Sequence, residues 1–105
     1  MAGLAGIPKK WARNIIIAYE PLWAIGTGHP DSPENLFEMS IFIRRIILDI
    51  FGKSIAHNMP VLYGGSVNDK NVREFLDADG VNGLLVGGAS LNPKKFKKIL
   101  EEAER

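Results

Sequence analysis

Apolar positions along this chain follow two alternating patterns: short continuous runs, and longer stretches in which apolar residues return every three or four positions. Ile15-Ile16-Ile17-Ala18-Tyr19 is a β-branched run without polar alternation, the pattern of a strand buried on both faces of a parallel sheet. It follows Ile7-Pro8-Lys9-Lys10-Trp11-Ala12-Arg13, read as a short helix or turn with Pro8 near its start. Pro21 to Pro30 is too rich in glycine and proline to be regular. A long helix then opens, with Ser32 as N-cap, Pro33 at the first helical position and Glu34 beside the positive end of the dipole, and it closes near Gly52. Leu36, Phe37, Met39, Ile41, Phe42, Ile43, Ile46, Ile47, Leu48, Ile50 and Phe51 cover well over half its circumference, leaving Glu34, Glu38, Arg45 and Asp49 as a narrow polar strip. A helix lying on a sheet needs one apolar stripe, so both flanks of this one are expected to meet something further, a partner surface included.

The second strand is Met59-Pro60-Val61-Leu62-Tyr63, with Pro60 at its start, where a missing donor does least harm. Asn68 or Asp69 opens a short helix through Phe75 and Leu76, closed by Asp79-Gly80. The third strand is Gly83-Leu84-Leu85-Val86, and Asn92-Pro93 opens the last helix, whose Phe96, Ile99, Leu100 and Ala103 repeat at helical spacing. Three βα units in succession predict an α/β fold with parallel strands and right-handed crossovers. No low-complexity linker divides the chain, so residues 1–105 are expected to form a single domain.

Composition narrows the function classes. With 46% hydrophobic and 24% charged residues the chain reads as one globular unit, and thirteen basic against twelve acidic residues give no whole-chain pull toward nucleic acid or an anionic membrane. The local excess at Lys94, Lys95, Lys97 and Lys98 is explained by a solvated helix face, with pairs such as Lys97 to Glu101, at least as well as by a binding patch. The absence of cysteine excludes disulfides, thiol catalysis and cysteine-ligated metal, and no metal or cofactor is expected. Met1 to Ile7 lacks the basic start and apolar length of a secretory signal, and no run reaches membrane-spanning length, so the cytoplasm is the expected compartment.

The chemistry-bearing segments follow the strands, at the carboxyl ends where α/β folds bind ligands. They read Ala18-Tyr19-Glu20-Pro21-Leu22-Trp23-Ala24-Ile25-Gly26-Thr27-Gly28, then Tyr63-Gly64-Gly65-Ser66-Val67, then Leu85-Val86-Gly87-Gly88-Ala89-Ser90-Leu91. A lone Gly-Gly pair marks a tight turn as often as a phosphate site. In this order, each directly after a strand, the three resemble the last three ligand loops of the triosephosphate isomerase family, over nearly the whole chain from Ile15 onward. The resemblance implies that the fold is the C-terminal part of a (β/α)8 barrel. It also implies interconversion of dihydroxyacetone phosphate and glyceraldehyde 3-phosphate through an enediolate, in glycolysis and gluconeogenesis.

By the same resemblance, Glu20 is the general base, a carboxylate expected to be buried at the end of an apolar strand with its pKa raised by partial desolvation. The competing reading of Glu20 as a capping or ion-paired residue is weakened by Pro21, which supplies no N–H and no regular helix start. Pro21, Leu22 and Trp23 match the near hinge of a water-excluding lid, and Ala24, Ile25, Gly26, Thr27 and Gly28 its tip, with Gly26 offering an N–H to the substrate phosphate. Gly26 and Gly28 are alternatively ordinary turn glycines. Ser66 is expected to bind phosphate through its hydroxyl and N–H, while Tyr63, Gly64 and Gly65 resemble the latch of the closed lid. The N–H groups of Gly87 and Gly88 open a helical turn toward the phosphate, and Leu85 lines the pocket.

The chain departs from the family pattern at His29-Pro30-Asp31, where a lysine and small residues usually form the far hinge. His29 reads as a solvent-exposed loop residue, and His57 precedes the second strand, at the wrong end of the sheet to replace the family's electrophilic histidine. That histidine and the substrate-gripping lysine belong to the first five βα units, and a full barrel needs ~250 residues. The chain by itself is therefore expected to be inactive, acting as an enzyme part completed by the N-terminal barrel portion. Two alternatives stay open: a non-catalytic phosphate-binding or self-associating half-barrel, closing its edges as a homo-oligomer, and a different phosphate-binding barrel.

Overall fold

The computed structural model of the protein describes residues 4, 6–21, 31–78 and 80–104. Three strands, β1 (Ile17–Tyr19), β2 (Val61–Gly64) and β3 (Gly83–Leu85), form one parallel sheet in the order β1-β2-β3. Between β1 and β2 run α1 (Pro33–Phe51) and α2 (Lys53–Asn58); α3 (Val72–Leu76) joins β2 to β3, and α4 (Pro93–Ala103) follows β3. Parallel strands alternating with helices are consecutive βα units of a (β/α)8 barrel. A 3-10 helix, Lys9–Asn14, precedes β1 where a short helix was expected, and a 3-10 turn, Gly88–Leu91, precedes α4.

The sheet is covered on one side. Register pairs Ile17 with Val61 and Tyr19 with Tyr63, and these residues point toward the helices, with Val61 and Tyr63 fully buried. Pairing in the opposite phase sets Ala18 beside Leu62 beside Gly83, and Gly64 beside Leu85, on a second face. Ile16 is 61% exposed and Leu85 45% exposed on that face, and Ala18 is open as well. The expectation of burial on both faces is thus met on the helix side only, because no described element packs on the other.

Helix α1 starts as its sequence dictates: Ser32 is extended, its Oγ accepts the N–H of Asn35, and Pro33 takes the first helical position. Leu36, Ser40, Ile43, Ile47 and Phe51 recur along one side and are buried. Complete burial of Leu36 and Ile47 stabilises the fold by about 2 kcal/mol each. Both flanks stay bare: Phe37, Ile41, Phe42, Leu48 and Ile50 are all exposed. The breadth of the apolar surface is therefore not consumed within the described residues.

Gly52 ends α1 with φ +95°, and the chain restarts at once as α2, an element the hydrophobic pattern did not separate from its neighbours. Gly80 has φ +95° as well, and a Cβ there would fall 1.9 Å from Ser40 Oγ, so both conformation and space require glycine. The strands are shorter than expected, Ile15-Ile16, Met59-Pro60 and Val86 lying outside them. Short α3 opens at Val72 rather than at Asn68 or Asp69, although the Asn68 carbonyl accepts the Val72 N–H at 3.0 Å. No helix among the described residues is long and apolar enough to cross a membrane.

Candidate active site

The carboxyl ends of the three strands converge on one cavity of about 410 Å3. Glu20, Gly64, Gly65, Ser66, Val67, Asn68, Leu85, Gly87, Gly88, Ala89, Asn92 and Lys95 line it. Its volume lies in the range of small-ligand sites, ~300–1,000 Å3. The structure therefore brings together Glu20, Ser66, the Gly87-Gly88 pair and Leu85, which the sequence placed on separate loops.

Glu20 follows β1 in the phase opposite to Tyr19, so its side chain projects on the uncovered face with Ala18. It rests across the end of β2, where a Cβ on Gly64 would lie 3.1 Å from Glu20 Cγ, 3.3 Å from its Oε1 and 3.3 Å from Leu85 Cβ. Gly64, expected as part of a latch, acts in this geometry as the seat of the carboxylate. The expected burial of Glu20 is not observed: the residue is exposed, since Gly64 has no side chain to cover it and no described element lies above it.

The loop after β2 holds Ser66 in a left-handed backbone conformation with φ 55°, the one positive φ outside glycine among the described residues. Such a conformation costs about 1 kcal/mol or more and persists where the surroundings enforce it. Enforcement comes from two asparagines. Asn71 Nδ2 donates to the Ser66 carbonyl at 2.9 Å and its Oδ1 accepts the Asn68 N–H at 2.8 Å; Asn68 Oδ1 accepts the N–H groups of Lys70 at 2.8 Å and Asn71 at 3.0 Å. Sequence reading assigned Asn68 to a helix start and gave Asn71 no role; its signal is an asparagine pair at spacing three after Gly-Gly-Ser.

After β3, Gly87 precedes the 3-10 turn, and the turn is closed by Ser90, whose N–H and Oγ both donate to the Gly87 carbonyl, at 2.9 and 2.6 Å. Among the described residues the N–H groups of Gly87 and Gly88 have no acceptor, and a Cβ on either glycine would meet nothing within 4 Å. No described protein atom would therefore crowd a side chain there. The open space and the two free donors suit an anion brought close to the main chain.

Tyr63 is wholly buried, and its hydroxyl accepts the Asp31 N–H and donates to the Gly65 carbonyl, both at 2.8 Å. Asp31, itself 7% exposed, receives the Tyr19 hydroxyl on Oδ2 at 3.3 Å and the Ser32 N–H and Asn35 side-chain amide on Oδ1 at 2.9 and 2.8 Å. The start of α1 is thereby tied to β1 and β2. Burial raises the pKa of both tyrosines above the ordinary 10.0; the Asp31 charge raises both further, and its amide bond to Tyr63 opposes this in part. The expected hinge and lid positions Leu22, Trp23, Ala24, Ile25, Gly26, Thr27 and Gly28, with His29 and Pro30, lie outside the described residues, whereas Pro21 is described and buried.

His57 sits in α2, exposed, before β2 and away from the cavity. No group of three or more His, Cys, Asp or Glu side chains among the described residues could hold a metal ion. The cavity thus offers one carboxylate, one hydroxyl, free main-chain donors and one lysine. These suffice for holding an anion and for moving a proton.

Comparison with known proteins gives this constellation a context. A sequence model of the family described as triosephosphate isomerase matches residues 1–103. The chain is 47% identical over 98 residues to the triosephosphate isomerase of Dictyoglomus turgidum, covering 93% of this chain and 39% of the relative. It is 43% identical over 101 residues to that of Carboxydothermus hydrogenoformans, covering 96% and 40%. For that of Lawsonia intracellularis the identity is 46% over 97 residues, covering 92% and 38%. The chain spans about two fifths of the length of these relatives, and over that span it belongs to the triosephosphate isomerase family.

Proposed function

We propose that this chain is the C-terminal barrel domain of a triosephosphate isomerase, contributing the proton-transfer carboxylate and the phosphate socket for interconversion of dihydroxyacetone phosphate and glyceraldehyde 3-phosphate. The observation that carries this reading is the meeting of Glu20 with the free Gly87 and Gly88 amides in one cavity. A phosphate held by those amides and by Ser66 fixes the far end of a triose, so the carbons beside the carbonyl come to rest near the Glu20 carboxylate. Glu20 removes a proton from one carbon, leaving an enediolate, and returns it to the neighbouring carbon while the hydroxyl proton passes from one enediolate oxygen to the other. Gly64 keeps the carboxylate free to reach both. Pro21, Leu22, Trp23, Ala24, Ile25, Gly26, Thr27 and Gly28 form the lid of this reading, with a Gly26 N–H on the phosphate and Tyr63, Gly64 and Gly65 as its latch. In support, the Tyr63 hydroxyl accepts the N–H of Asp31, which lies beyond Gly28 past His29 and Pro30.

The uncovered sheet face and the bare flanks of α1 favour a partner, the five preceding βα units of the barrel, which by the family resemblance carry the electrophilic histidine and the substrate-gripping lysine. The test is an isomerase assay of the 105-residue chain alone and mixed with a separately produced N-terminal barrel portion. Turnover of glyceraldehyde 3-phosphate is expected only in the mixture, and Glu20→Gln is expected to lower it by about 10²- to 10⁴-fold without dissociating the complex. Silence in a demonstrably formed complex would favour the second reading, a non-catalytic phosphate-binding or self-associating half-barrel, to which the same open face also speaks.

A further inference from the structure

Among the residues lining the cavity, Lys95 is the one cation and Glu20 the one anion. The four-lysine segment divides in the structure. Lys97 pairs with Glu101 at 3.9 Å, as a solvated helix face would, whereas Lys95 has Ile99 at the equivalent spacing and forms no ion pair among the described residues. Its placement also runs against the helix it belongs to. The first turn of an α-helix carries partial positive charge and favours Asp or Glu, yet α4 has no acidic residue in its first turn and places Lys94 and Lys95 there.

The end of α4 is not itself the anion socket. Asn92 Oδ1 already accepts the N–H groups of Lys94 and Lys95, at 3.1 and 3.2 Å, so the first main-chain donors of α4 are satisfied. What α4 itself contributes to the cavity lining is Lys95, in the same cavity as the unsatisfied Gly87 and Gly88 amides. A phosphate drawn to those amides meets the Glu20 charge in the same enclosure, and an opposite charge on the rim offsets that repulsion.

We propose that Lys95 is a substrate-binding residue, a cation on a flexible stem that captures the phosphate dianion at the cavity mouth and stays beside it once the Gly87 and Gly88 amides are engaged. This rests on the cavity being a phosphate socket. The unfavourable position of Lys95 on α4 is then a local cost in helix stability kept for ligand binding.

Titration of inorganic phosphate into the 105-residue chain, followed by the amide NMR signals of Ser66, Gly87 and Gly88, tests both levels. The wild-type signals are expected to move, with affinity falling as salt is added. Lys95→Met is expected to bind about three- to fivefold more weakly with a flatter salt dependence. It should also melt at a higher temperature, since methionine and lysine have similar helix propensity and a repelled charge has been removed. Lys95→Arg should restore most of the affinity, and Lys97→Met, with the same change in net charge, should match the wild type. Equal affinity in Lys95→Met and wild type, with the signals still moving, overturns the role of Lys95 and leaves the socket intact. Equal weakening by Lys97→Met reduces the effect to net charge and overturns it as well. A wild-type chain whose signals do not move removes the phosphate reading itself, and the role of Lys95 with it.

Discussion

The two rims of the sheet are built on opposite principles. At the carboxyl-end rim, polar groups are left unsatisfied or held under strain: Glu20 is exposed, the Gly87 and Gly88 amides have no acceptor among the described residues, and Ser66 is left-handed. At the amino-end rim, polar groups are saturated. The Arg44 guanidinium, reaching down from α1, donates to the carbonyls of Ala56 and Met59 at 2.8 and 2.9 Å, to Asn82 Oδ1 at 2.9 Å and to the Gly80 carbonyl at 3.5 Å. Asn82 bonds β2 twice, accepting the Val61 N–H at 2.9 Å and donating its own N–H to the Val61 carbonyl at 2.7 Å. The cross-linking polar bonds lie at one rim and the proposed ligand site at the other, the division of stability and activity found in barrels of this type.

If that division is real, substitutions should separate cleanly into those that unfold the chain and those that disable the site. The largest effect is expected from Arg44→Met, which strands the carbonyls at the end of α2 and loosens Asn82; it should cost about 2–4 kcal/mol in denaturant unfolding. A loss under about 0.5 kcal/mol, the range of ordinary surface substitutions, would show that water replaces those bonds and that the amino rim is not the stabilising one.

Gly64→Ala sharpens the comparison from the other side. Its Cβ would crowd Glu20 Cγ and Leu85 Cβ, so the carboxylate must shift by a few tenths of an ångström. Turnover of the complemented enzyme is expected to fall about tenfold, with unfolding free energy changed by less than about 1 kcal/mol. Unchanged turnover would mean that Glu20 is not seated where the reaction needs it.

The smallest effect is alkaline. Both tyrosines have raised pKa values, so the stability they contribute is complete below the unfolded value of 10.0 and is lost as pH rises from there through their folded values, because the unfolded chain ionises first. Tyr19→Phe removes one of the two tyrosine titrations, and its unfolding midpoint should fall less steeply above that pH. Equal slopes would show that Asp31 and burial do not act on Tyr19 as the geometry indicates.

Much of this was readable from the residues. Ser32-Pro33 and Asn92-Pro93 each act within one turn of their own helix, so a local motif sufficed to place α1 and α4. The three ligand loops were recognisable because their segments, in this order and each directly after a strand, resemble the loops of one family. What escaped were the groups whose partners lie far along the chain. Arg44 meets Gly80 and Asn82 across 36 and 38 residues, and Asp31 meets Tyr63 across 32, with no spacing signal to announce either.

The succession of three βα units and the two capped helix starts were legible in local pattern, because capping, turn geometry and hydrophobic period act over a few residues, and the family in the resemblance of three loop segments. Which face of the sheet stays open, that Glu20 rests exposed over Gly64, and that Lys95 rather than Lys97 lines the cavity were decided by tertiary structure alone. Those outcomes depend on how parallel strands are registered and how α4 is docked, quantities set by packing across the whole fold and written at no single position.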